Sequence, residues 1–116
     1  MLSKETLEWA TNKLRASEKN VVEAAQNFWG EYVSGIQIVD ENVIQGLFTI
    51  NMRLYDKTDI KLEYERSCLD LRVKKGGEFI QIHKLTNKEM ANGFDSYKHD
   101  GMLKNFGVLD RVVREM

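Results

Sequence analysis

The chain has 116 residues, 42% hydrophobic and 30% charged, with a formal net charge of −1 at pH 7. Those values fit one globular domain, expected to span residues 1–116, that buries roughly two-thirds of its unfolded surface without help from disulfides or metals. They exclude a disordered chain, a basic nucleic-acid footprint and an acidic tail, since the first 58 residues carry 6 Lys/Arg and 8 Asp/Glu and the last 58 carry 11 and 10.

Ser3 has the chemistry of a helix N-cap. Beyond it Leu7, Ala10, Leu14, Val21, Ala25, Phe28 and Tyr32 recur at spacings of 3, 4 and 7, one apolar stripe of a long helix. Ser17-Glu18-Lys19-Asn20 is a soft spot, but the register of Leu14 and Val21 favours continuity, with Gly30 or Gly35 ending the helix. Period-two alternation then runs from Ile36 to Leu85. Residues 36–39 read as a short strand and Asp40-Glu41-Asn42 as a turn. A long strand over 43–55 places Ile44, Phe48, Ile50, Met52 and Leu54 inward. After a turn at Asp56-Lys57-Thr58, Ile60, Leu62 and Tyr64 are apolar. The phase flips at Arg66-Ser67, so that Leu69, Leu71 and Val73 follow. With no Gly, Asn or Asp there to make a tight turn, the flip reads as a β-bulge in one continuous strand. Gly76-Gly77 closes a two-residue hairpin that sets Val73 opposite Ile80, Leu71 opposite Ile82, Arg72 opposite Gln81 and Asp70 opposite His83.

Thr86-Asn87-Lys88-Glu89 resembles a capping box opening a helix with Met90, Phe94 and Tyr97 on one face. His99-Asp100-Gly101 breaks that pattern, and Met102, Phe106, Leu109, Val113 and Met116 form the stripe of a terminal helix. The expected fold is α+β: a long N-terminal helix on a four-stranded antiparallel meander, followed by two short C-terminal helices. This element order resembles the topology of cystatin-like, helix-grip folds, in which a curved sheet wraps a helix.

Cys68 is the one cysteine, so no internal disulfide forms and a reducing compartment is favoured. The first residues turn polar at once and no stretch approaches a membrane span, so a cytoplasmic protein without a membrane partner is expected. Proline is absent, Lys outnumbers Arg 11 to 6, and Asn at 8 exceeds Ala at 5. That bias is the one AT-rich coding produces, pointing to a bacterial or phage source.

Asp70, His83 and Cys68 are the residues the expected register brings to one face with catalytic chemistry: a carboxylate that orients an imidazole, beside a thiol nucleophile. A cross-strand ion pair beside an ordinary buried cysteine explains the same residues, and no catalytic assignment is made. Metal ligation is not expected, because His83 and His99 lie in no ligand-spaced motif. No cofactor is expected either, because Gly76-Gly77 lacks the strand-to-helix context of a phosphate loop. Lys74, Lys75, Lys84 and Lys88 with Phe79 are a candidate nucleic-acid surface, read instead as solvated charges around a hairpin tip. An off-stripe Trp9, a Leu47 on the polar face of its strand and the stripe Met102, Phe106, Leu109 and Val113 have the look of a contact surface.

Two functions follow as expectations. The first is a non-enzymatic interaction or regulatory protein that contacts a protein partner or a second copy of itself through Trp9, Leu47 and the C-terminal stripe. The second is a pocket protein, its curved sheet enclosing a small ligand held by Tyr64, Asp70 and His83.

Overall fold

The computed structural model describes residues 2–116. The elements run α1 (Lys4–Trp29), β1 (Val33–Asn42), β2 (Leu47–Leu54), β3 (Thr58–Glu65), β4 (Cys68–Lys75), β5 (Glu78–Gln81) and α2 (His99–Arg114), with 3₁₀ turns at Gly30–Tyr32, Ile82–Lys84 and Gly93–Ser96. The five strands form one antiparallel sheet in chain order.

α1 is a single helix. The Ser3 hydroxyl accepts from the Thr6 N–H at 3.1 Å, and Gly30 at φ 55° closes the other end. The sheet then forms by successive hairpins. Phe48, Tyr64 and Leu69 share one row, Ile50, Leu62 and Leu71 the next, and Met52, Ile60 and Val73 the third. All nine are buried on one face. α1 lies on that face over β1 and β2, and α2 lies beside it over β4. Trp29 and Phe106 meet where the helices touch, with ring centroids 4.8 Å apart. A helix of 26 residues is about 39 Å long, whereas eight-residue strands span about 27 Å. α1 therefore outruns the sheet, and Leu14 is its first buried residue.

The sheet has five strands rather than four. Arg66 (φ 47°) and Ser67 (φ 68°) form a two-residue left-handed turn that pairs Glu65 with Cys68, so the phase flip is a hairpin and not a bulge. Left-handed geometry costs a non-glycine residue about 1–2 kcal/mol, which the pairing and burial of the two flanking strands outweigh. The true bulges lie in β1, at Ser34/Gln37 and Val39/Asn42. β1 is also longer than expected, and the chain turns at 43–46 rather than 40–42, which leaves Ile44 73% exposed instead of in the core.

The helix expected over residues 86–97 is absent; only the Gly93–Ser96 turn is helical there. Thr86 Oγ1 accepts from the N–H of Lys88 at 3.1 Å, closing a local turn where a helix cap would have reached Glu89. Asn105 of α2 holds the segment by two hydrogen bonds to the backbone of Ala91, at 2.9 and 2.8 Å. α2 begins at His99, so Gly101 lies inside the helix instead of breaking it. A Cβ at Gly101 would sit 1.8 Å from the Asp95 carbonyl oxygen, so only glycine lets the helix start this close to the preceding turn.

Two clefts and their candidate site residues

Among the described residues no helix covers the outer face of the sheet. Across it run Gln37, Asn51, Lys61, Arg72 and Gln81 in one row and Val39, Thr49, Glu63 and Asp70 in the next. β5 pairs only with Arg72–Lys75, which leaves the first half of β4 with a free edge. A cleft of about 720 Å³ opens there, lined by Cys68, Asp70, His83 and Glu63 among others.

The expected Asp70–His83 pair does not form. β5 ends at Gln81 because Ile82 turns into the core at 1% exposed, and the 3₁₀ turn leaves His83 exposed. Asp70 instead accepts from Arg72 Nε at 2.9 Å and Gln81 Nε2 at 3.2 Å, while Arg72 also lies 3.5 Å from Glu63. The buried wall is equally committed. Ser96 Oγ accepts from the Leu69 N–H at 2.8 Å, replacing the missing ladder partner, and donates to the Gly93 carbonyl at 2.6 Å. Tyr64 does not converge with Asp70 at all, because adjacent rows of a strand point to opposite faces. Its hydroxyl meets Ser17 Oγ at 3.1 Å in the core and its ring stacks on Phe48 at 4.5 Å. Of the basic and aromatic candidates, Lys74 and Phe79 meet each other: Lys74 lies 5.9 Å from the centroid of the Phe79 ring, and Lys61 lies 4.5 Å from it.

The C-terminal stripe packs beside the first helix rather than serving as a contact surface. Met102, Phe106, Leu109 and Val113 are all buried in this chain's own core, packed beside α1, so they present no surface to a partner. Leu47 is half-buried on the outer face, opposite Glu65. Trp9 alone of the expected contact residues is well exposed, at 63%.

Trp9 belongs to a second cleft, of about 290 Å³, at the end where α1 outruns the sheet. α1 forms one wall with Trp9, Lys13 and Leu14. The 43–46 turn forms the other, with Val43 and Ile44, and the Ser17–Tyr64 hydrogen bond closes the floor. The turns that carry this site are fixed. Asn42 Oδ1 accepts from the Gln45 N–H at 2.9 Å, the Gly46 carbonyl accepts from the Arg66 N–H at 3.1 Å, and Arg66 Nε donates to the Gln45 carbonyl at 3.4 Å. Lys13 Nζ lies 5.0 Å from the centroid of the Trp9 ring and orients it.

The sequence pattern missed Ile44 and Arg66. Ile44 has the right parity for the core, and the signal against it was Gly46, which ends the turn at φ 66°. Arg66 stood in a residue pair with no turn chemistry.

Below this cleft α1 buries Glu18, 3% exposed, with its Oε1 3.0 Å from Arg15 and its Oε2 unpartnered. Burial pushes the Glu18 carboxyl above the usual range, and the charge and hydrogen bond of Arg15 pull it back in part. Arg15 also pairs with Glu41 of β1, pinning helix to strand.

Among the described residues no helix is long and apolar enough to cross a membrane. No family model matches the chain, and neither a curated protein nor a solved structure does.

Proposed function

We propose that this chain is a protein-interaction module that docks a partner in the cleft between the N-terminal half of α1 and the β1–β2 and β3–β4 turns. One observation carries the reading: Trp9 and Ile44, 63% and 73% exposed, flank a single cleft built on hydrogen-bonded turns. Single exposed apolar residues are ordinary on a small protein. Two large ones facing a shared concavity beside a Lys-braced tryptophan have the composition of an interface hot spot.

Binding is favoured over catalysis because Asp70 of the larger cleft is held by Arg72 and Gln81 and orients no imidazole, so the expected acid–imidazole pair is not assembled. A dimer through the C-terminal stripe loses its support, since that stripe is buried. A reducing, cytoplasmic setting suits the unpaired Cys68.

The test is selection of binders from a displayed random-peptide library, followed by titration against Trp9→Ala and Ile44→Ser. Both variants should keep the wild-type melting temperature within a few degrees, because the side chains lie outside the core. Selected peptides should lose tenfold or more in affinity for each. A library that yields no binder, or binders indifferent to both substitutions, overturns the reading.

A further inference from the structure

Arg66 is held in a conformation that its residue type disfavours, at φ 47° in a two-residue turn where asparagine or glycine is the usual occupant. Backbone strain of this kind collects where a side chain is needed in one place. Arg15, Arg53, Arg72, Arg111 and Arg114 each lie within salt-bridge distance of a carboxylate. Arg66 is the one arginine that, among the described residues, has no such partner. Its Nε is spent on the Gln45 carbonyl, which aims the side chain along the rim of the cleft and leaves both terminal nitrogens of the guanidinium without a hydrogen-bond acceptor. Lys13, on the opposite wall, is likewise without a carboxylate, and among the described residues no Asp or Glu lines the cleft. A chain of net charge −1 thus keeps two uncompensated cations around one apolar concavity.

Resting on the interaction reading above, we infer that the cleft takes an acidic segment of a partner protein, with a bulky apolar side chain seated between Trp9 and Ile44 and an adjacent Asp or Glu carboxylate held by Arg66. The guanidinium fork matches a carboxylate through two parallel N–H···O bonds, and Lys13 adds an unforked charge from the other side. The volume of about 290 Å³ sits at the lower edge of small-ligand pockets and suits an inserted side chain with its neighbours.

The probes are three capped peptides that share a Leu-Phe pair flanked by Glu, by Gln or by Lys, followed by amide and indole NMR shifts. The Glu peptide should move the Trp9 indole N–H and the amides of Ile44 and Arg66. Its affinity should exceed that of the Gln peptide about tenfold, exceed that of the Lys peptide by more, and fall as salt rises. Arg66→Asn puts a residue suited to the left-handed turn in place of the guanidinium, so the hairpin stays intact while the Glu peptide loses about tenfold. Arg66→Lys should recover only part of that loss. Equal binding of the Glu and Gln peptides at the cleft would overturn the acidic preference and leave the interaction reading standing. Shifts from no peptide would remove both. Tight Glu-peptide binding indifferent to Arg66→Asn would put the carboxylate elsewhere, and concentration-dependent shifts of Trp9 and Ile44 in the free protein would make the occupant a second copy; either overturns the proposal.

Discussion

α1 carries a tryptophan in each half, and the two have opposite surroundings. Trp29 is 3% exposed, lies 4.8 Å from the Phe106 ring and donates its indole N–H to Asp110 at 3.0 Å. Asp110 also accepts from the Tyr55 hydroxyl and pairs with Arg114 at 2.9 Å, so the indole is one donor in a network tying α1, α2 and the β2–β3 turn together. Trp9 is 63% exposed, with Lys13 of its own helix over its ring. The same residue type on the same helix serves packing where a second layer covers it and remains available for recognition where α1 extends past the sheet. Exposure here follows from the mismatch between helix and strand length, not from a change in helix pattern.

The largest expected effect falls on the packed half. Phe106→Ala empties a site that is 0% exposed and should cost about 3–5 kcal/mol, measured by urea unfolding. A loss below 1 kcal/mol would mean α2 is not part of the core, and the contrast between the two regions would collapse.

The tryptophans themselves sharpen the contrast. Trp29→Phe keeps most of the packing but deprives Asp110 of one donor, a loss of about 1.5–3 kcal/mol for a bond to a charged acceptor. Trp9→Ala should change stability by no more than about 0.5 kcal/mol. Chemical denaturation of the two variants side by side decides it, and equal losses would show that the outer half of α1 is folded against something after all.

Arg66→Asn should move stability and binding in opposite directions. Relief of left-handed strain should raise stability by up to about 1 kcal/mol while the Glu peptide binds more weakly. A destabilised variant would mean that the bond from Arg66 Nε to the Gln45 carbonyl outweighs the strain.

The smallest effect is a pH dependence at the junction of the two regions. The folded-state pKa of Glu18 is raised by burial above its unfolded value. The folded state therefore holds that proton to higher pH, and the stability linked to the neutral carboxyl is full below the unfolded value and is lost as pH rises through the folded one. Glu18→Gln does not ionise and should gain on the wild type as pH rises from about 4 towards 7. Thermal melts across that range that keep a constant difference between the two proteins would refute the shift.

Local signals were legible where one interaction dominated. Ser3 and Gly30 bound α1 as their types require, and Gly76-Gly77 fixed Val73 opposite Ile80 and Arg72 opposite Gln81. The register failed at the next residue, because Ile82 left the ladder opposite Leu71 for the core and took His83 away from Asp70. The phase flip at Arg66-Ser67 was visible, but its cause was not. Turn propensity is worth little against the pairing of two eight-residue strands. The capping box at Thr86 failed for the opposite reason: a genuine local preference lost to the bonds from Asn105 and Ser96 that hold the segment along the edge of β4.

The sequence by itself determined the α+β class, the long capped helix, the inward set of β2 to β4 and the apolar stripe of α2, because each is written in a hydrophobic period that a single element satisfies. The tertiary structure alone decided which apolar residues are covered. Phe106 and Ile44 both have the parity of core residues, yet one is fully buried and the other 73% exposed. Burial depends on what lies opposite, and the relative lengths of helix and sheet set that. The cleft, its free arginine and its exposed tryptophan come from that geometry.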